Sequence, residues 1–182
     1  MGKYLNEAGL AHLWTQIKEN FAKGGGGSSE NSGDADYYAH WNYRVQQLTA
    51  DLPTITVPET VGEHAREEYQ RRPITMLDIN GNADDFNKTE VIIMHPKSRG
   101  EFDFRFWDVC DCHILVAKGV TSIKFVDSGA IVDLTLFTGD TPFPTLSHDA
   151  YEMKVFVQKG RKAELEKMTN WSSCFIEEVE TW

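Results

Sequence analysis

Apolar positions in the first 21 residues recur at helical spacing. Leu10, Leu13, Trp14, Ile17 and Phe21 follow one another at intervals of three, one, three and four. Such spacing gathers the side chains into one stripe of an amphipathic helix. Asn6 is suited to cap the first turn with its side-chain oxygen. Glu7 favours the positive end of the helix dipole, and Gly24 is a natural stop. A helix of roughly 16 residues is near the lower limit for standing alone in water. The stripe must therefore be buried on something: its own domain, a second copy, or a partner.

Residues 24–36 then change character. Gly24 to Gly27, Ser28 and Ser29 lead into Glu, Asn, Asp and Gly, with no large apolar side chain. A coil of this composition spans roughly 20 Å. The Gly/Ser run is also a common designed tether, so the joint reads equally as natural or engineered. From Tyr37 a second helical stripe is expected, through Tyr38, Trp41, Val45 and Leu48. Tyr37, Tyr38, Trp41 and Tyr43 also have the composition of a carbohydrate-stacking surface, although burial of the stripe is the simpler reading.

After Pro53 the period falls from that of a helix to that of a strand. The β-favouring runs are 55–57, 74–77, 91–94, 102–106, 114–116, 122–126, 131–136, 153–157 and 174–176. Phe102, Phe104 and Phe106 alternate with charged residues, as on a half-buried strand. Asp127-Ser128-Gly129 predicts a hairpin, Asn80-Gly81-Asn82 another turn, and short helices are expected over 61–71 and 161–168. Strands separated by roughly 10–15 residues, without long crossover helices, predict an antiparallel, sandwich-like β domain. The expected organisation is an anchoring helix over 1–23, a linker over 24–36 and a mainly β domain over 37–182.

Charge narrows the classes of partner. With 28 acidic and 18 basic residues the chain carries −10, the wrong sign for neutralising phosphates. Its densest basic group, Arg66, Arg71 and Arg72, is interleaved with Glu63, Glu67 and Glu68. No nucleic-acid partner is expected. No apolar run approaches the roughly 18 residues of a membrane span, and the N-terminus lacks the continuous apolar core of a signal peptide. Asn6 stands where a myristoylation signal wants Ser or Thr. Three cysteines at irregular spacing do not describe a disulfide framework. Synthesis in a reducing cytoplasm is the expectation.

Motifs for chemistry are weak throughout. Cys110-Asp111-Cys112-His113 brings zinc-ligand types together, but on a strand Cys110 and Cys112 face one side and His113 the other. Asp78, Asn80, Asn82 and Asp84 have the alternate-oxygen rhythm of a calcium loop. The Gly comes two residues early, and Thr89 stands where the closing Glu belongs. Asp103, Asp108 and Asp111 offer carboxylates of the sort glycoside hydrolysis pairs, as any acidic β protein does. No catalytic residue, metal or cofactor is expected. A carbohydrate-degrading virion enzyme and a cytoplasmic host-interaction or inhibitor protein are the alternatives to a structural role.

One resemblance sharpens the N-terminal reading. Leu5, Asn6, Gly9, Leu10, Leu13, Trp14, Ile17 and Lys18 form a pattern that resembles the opening segment of bacteriophage tail-fibre and head-fibre proteins. It covers about a tenth of the chain. The resemblance implies a virion appendage, typically trimeric, docked to a capsid or tail protein through Leu5, Leu10, Leu13, Trp14, Ile17 and Phe21. It also implies a displayed domain that meets a host-surface receptor or glycan. The shortness of the chain favours a head fibre, a decoration protein or a small receptor-binding protein over a full tail fibre.

Overall fold

The computed structural model describes residues 32–50, 74–82, 90–104, 112–124, 129–147 and 153–180. Helix α1 spans Ser32–Ala50, so it begins inside the segment read as linker. Asp34 lies in its first turn, where a negative charge complements the dipole. Nine short strands follow: β1 (Ile74–Met76), β2 (Val91–Ile93), β3 (Arg99–Asp103), β4 (His113–Leu115), β5 (Gly119–Lys124), β6 (Ile131–Asp133), β7 (Thr145–Leu146), β8 (Lys154–Gln158) and β9 (Phe175–Val179). A short helix α2 (Lys162–Leu165) and a 3-10 turn (Trp171–Ser173) separate β8 from β9. The strand runs predicted from Ile74 onward coincide with or overlap these strands. The 55–57 run and the 61–71 helix lie outside the described residues.

The strands do not form the antiparallel sandwich expected from their spacing. Every pairing among the described strands is parallel. Six strands make one sheet in the order β1-β2-β4-β6-β8-β9, and three make a second in the order β3-β5-β7. From β2 to β8 the chain alternates between them, a β-solenoid-like arrangement. Strands of the large sheet start at residues 74, 91, 113, 131, 154 and 175, a repeat of roughly 20 residues of the sort that builds stacked coils. A parallel pair needs a long crossover, usually a helix. Here the β3, β5 and β7 strands occupy that crossover, so the absence of long helices does not imply antiparallel pairing. The hairpin expected at 127–129 is excluded as well, because β5 and β6 belong to different sheets.

Register sorts the side chains of the large sheet. One ladder, Thr75, Ile92, Ile114, Val132, Val155 and Ile176, runs through all six strands. Its apolar members from Ile92 to Ile176 belong to the main core, together with the small sheet's Phe102, Ile123 and Leu146. Alternate positions face the other way. Ile74, Val91, Ile93 and Leu115 on that face pack with Tyr37, Trp41 and Val45 of α1. This matches the stripe expected for the second helix, with Tyr37 buried and Tyr38 and Leu48 at the margin.

The far end of the core is closed by Leu165 and Trp171, both fully buried. Arg161 stitches the same region. Its guanidinium donates to the carbonyls of Phe137 (2.6 Å) and Thr141 (3.0 Å) and to Glu164, and stacks 4.2 Å from the Phe143 ring centroid. Near the opposite end, Gly81 is required by its turn. Its φ is +84°, and a Cβ there would come within 2.4 Å of Phe102 Cε1. Gly81→Ala is expected to cost about 2–4 kcal/mol, from the left-handed backbone and the core overlap together. A fall in urea midpoint at unchanged slope would measure it; an unchanged midpoint would contradict it.

Candidate functional site

The most concentrated buried chemistry lies where α1 meets β4 and β6. The outward ladder Met76, Ile93, Leu115, Asp133, Phe156 and Glu177 is apolar through Leu115 and meets its first charge at Asp133. Asp133, at the changeover, is fully buried. Such a carboxylate is tolerable only when its oxygens are saturated with donors. Oδ2 accepts from Arg44 Nη2 (2.6 Å), Arg44 Nε (2.8 Å) and His113 Nε2 (2.9 Å). Oδ1 accepts from the Thr135 backbone N–H (3.1 Å) and hydroxyl (2.5 Å).

Each element contributes for a local reason. Arg44 follows Tyr37 and Trp41 along α1 at helical spacing, so its side chain reaches the same sheet face. Its Nη1 is held by Gln47 Oε1 at 3.0 Å, one turn on. His113 opens β4, and its ring lies 5.5 Å from that of Phe156. Thr135 lies just past β6 and bends back onto Asp133. An ionised carboxylate only accepts, so Nε2 of His113 carries the proton in this contact.

Burial by itself raises the Asp133 pKa. The His113 hydrogen bond, the Arg44 charge and the Thr135 hydrogen bond outweigh it, and the carboxyl is held below its ordinary value. Burial dominates at Tyr37, whose phenol is pushed well up, and at Cys174, whose thiol rises to about 11. A phenol and a thiol in this condition stay protonated and unreactive at neutral pH.

The sequence motifs separate in space. Cys112 is buried in the main core while His113 faces α1, the opposed orientation expected on a strand; Cys110 and Asp111 lie outside the described residues. Asp78 is committed to its own turn. Its Oδ1 accepts from the backbone N–H groups of Asn80 and Asn82, both at 2.8 Å, and these contacts, led by Asn82, lower its pKa. Asp84 and Thr89 lie outside the described residues, as does Asp108 of the carboxylate set that includes the half-buried Asp103. Leu5, Leu10, Leu13, Trp14, Ile17 and Phe21 also lie outside them. Of the aromatics weighed as a glycan surface, Tyr37 and Trp41 are buried.

Sequence reasoning missed the Arg44–Asp133–His113 cluster. A signal was present: Asp133 interrupts the apolar run Ile131–Leu136 on the same face as Ile131 and Thr135. Among the described residues, no group of three His, Cys, Asp or Glu side chains is placed to hold a metal. No helix among them is long and apolar enough to cross a membrane. Chemically the cluster is a clamp: both carboxylate oxygens of Asp133 accept from protein donors. Comparison with family profiles, curated protein sequences and solved structures finds no match to this chain.

Proposed function

We propose that this protein is a non-enzymatic structural component of a bacteriophage particle. Its N-terminal segment docks into a groove on a capsid or tail protein through Leu5 and the stripe Leu10, Leu13, Trp14, Ile17 and Phe21. The Gly/Ser run is the tether, and the β-solenoid-like body is displayed to meet a host-surface receptor or glycan. Head fibre, decoration protein and small receptor-binding protein are the forms this role takes in a chain of 182 residues.

The observation that carries the reading is the Leu5–Lys18 pattern immediately followed by Gly24 to Ser29. A sticky segment on a flexible leash is suited to docking at one end and presentation at the other. Trp14 and Phe21 have the bulk of groove anchors. Three copies on one body would convert weak individual docking into firm attachment through effective concentration. The body's buried charges favour presentation over catalysis, since Asp133 and Arg161 spend their hydrogen-bonding capacity on the fold.

Deleting residues 1–22 tests the proposal. The truncated protein is expected to be made and folded but missing from purified particles, whereas incorporation at the full-length level would overturn it.

A further inference from the structure

We propose that α1 is a separable strap, a unit that opens and closes on the large sheet while the two-sheet body stays folded. The inference stands apart from the virion reading and needs no partner.

Among the described residues two apolar clusters lie on opposite faces of the large sheet, and they share no residue. The main core is built by inward residues of both sheets and the closing segment around Leu165 and Trp171. The second cluster joins Tyr37, Trp41 and Val45 of α1 to Ile74, Val91, Ile93, Leu115 and Leu136. The sheet hydrogen bonds run strand to strand. Lifting α1 therefore breaks none of those bonds and removes no member of the main core. Units bounded in this way open below the free energy of global unfolding.

Three buried side-chain contacts fasten the helix, beside the part-buried Lys118 N–H to Tyr37 Oη bond (3.3 Å) and the exposed Asp34–Lys118 pair (3.5 Å). Tyr37 Oη donates to Pro96 O at 3.0 Å, Trp41 Nε1 to Met94 O at 3.1 Å, and Arg44 to Asp133 at 2.6 and 2.8 Å. The first two engage the chain just after β2, and the third reaches two strands further, to β6. The Arg44–Asp133 contact is a buried pair between charged groups and holds the strap across the sheet, while the exposed Asp34–Lys118 pair adds a second charged contact near the start of the helix. Opening uncovers an apolar strip of Ile74, Val91, Ile93 and Leu115, so the closed state is favoured and the open state is minor. A pull delivered through residues ahead of Ser32 would act on this strap before it acted on the body.

Native-state hydrogen exchange on the full chain, at increasing sub-denaturing urea, decides the matter. Peptides covering α1 are expected to exchange through an opening distinct from, and easier than, that of β6 and β8. Tyr37→Phe should speed α1 exchange about tenfold and Asp133→Asn about a hundredfold or more, whereas Trp171→Phe, a change inside the main core, should speed β8 exchange and leave α1 unchanged. Tyr37→Phe keeps the test open should Asp133→Asn fail to fold. Exchange of α1 and β8 in a single step, acceleration of α1 together with β8 by Trp171→Phe, or no acceleration of α1 by Tyr37→Phe would each overturn the proposal.

Discussion

Arg44→Ala is expected to destabilise the protein by about 3 kcal/mol, because it leaves a buried carboxylate without its main counter-charge. The Asp133 side chain is wholly inaccessible and that of Arg44 is 11% exposed, so water cannot replace the guanidinium. The loss sits at the lower end of the range for broken buried pairs, since His113 and Thr135 still donate to Asp133. Against a total stability of about 5–15 kcal/mol for an ordinary domain, this is a large fraction.

A double-mutant cycle isolates the pair from its surroundings. Asp133→Ala should also destabilise, by stranding Arg44 and the Thr135 donors. The double variant should be less damaged than the sum of the singles by about 2 kcal/mol. Additive losses would mean that the contact contributes nothing beyond packing.

The same variants predict the acid limb of the stability curve. Asp133 has a folded pKa below its unfolded value of 3.8. Its contribution is therefore fully present above that value and is lost as pH falls through the lower, folded pKa. Arg44→Ala removes part of the depression, so the variant's stability should fall less steeply than wild type below pH 3.8. Denaturant titrations at a series of acidic pH values would measure this, and parallel curves would contradict it.

Trp171→Ala is expected to cost about 4 kcal/mol, the usual loss for deleting a large aromatic from a packed core. Trp171 is fully buried and, with Leu165, closes the end of the body beside β9. Its indole Nε1 donates to the carbonyl of Pro144 at 2.7 Å, and truncation would leave that acceptor facing a cavity. Trp171→Phe should recover much of the packing but not the hydrogen bond, falling between the two. A thermal melt ranking the three proteins in the order wild type, Trp171→Phe, Trp171→Ala checks this. Equal melting temperatures would show that the closing segment contributes little.

The two variants bear on different layers. Arg44 acts where α1 crosses the outer face, and Trp171 acts inside the main core. If α1 is a strap, Arg44→Ala should loosen the helix first, whereas Trp171→Ala should weaken the strands of both sheets. Their effects should add, because they share no contact in the structure.

Local chemistry in the sequence determined a good deal. Short runs of β-favouring residues located strands around 74, 91, 131 and 154, because branched apolar side chains fit an extended, half-buried backbone. The 3.6 period placed a helix with Trp41 and Val45 inward, and Asn80-Gly81 marked a turn that only a residue without a Cβ can complete beside Phe102. Opposed orientation of Cys112 and His113 also followed from strand geometry alone. Strand direction did not, since alternation has the same period in parallel and antiparallel sheets. The neighbour of β4 is β6, not β5, and nothing in either segment's own residues encodes that pairing. Only the stacking of coils decided it. The same holds for Asp133. On its strand it is only a carboxylate breaking an apolar run; it becomes a buried clamp because the tertiary fold brings Arg44, 89 positions earlier, down onto the same face and buries both.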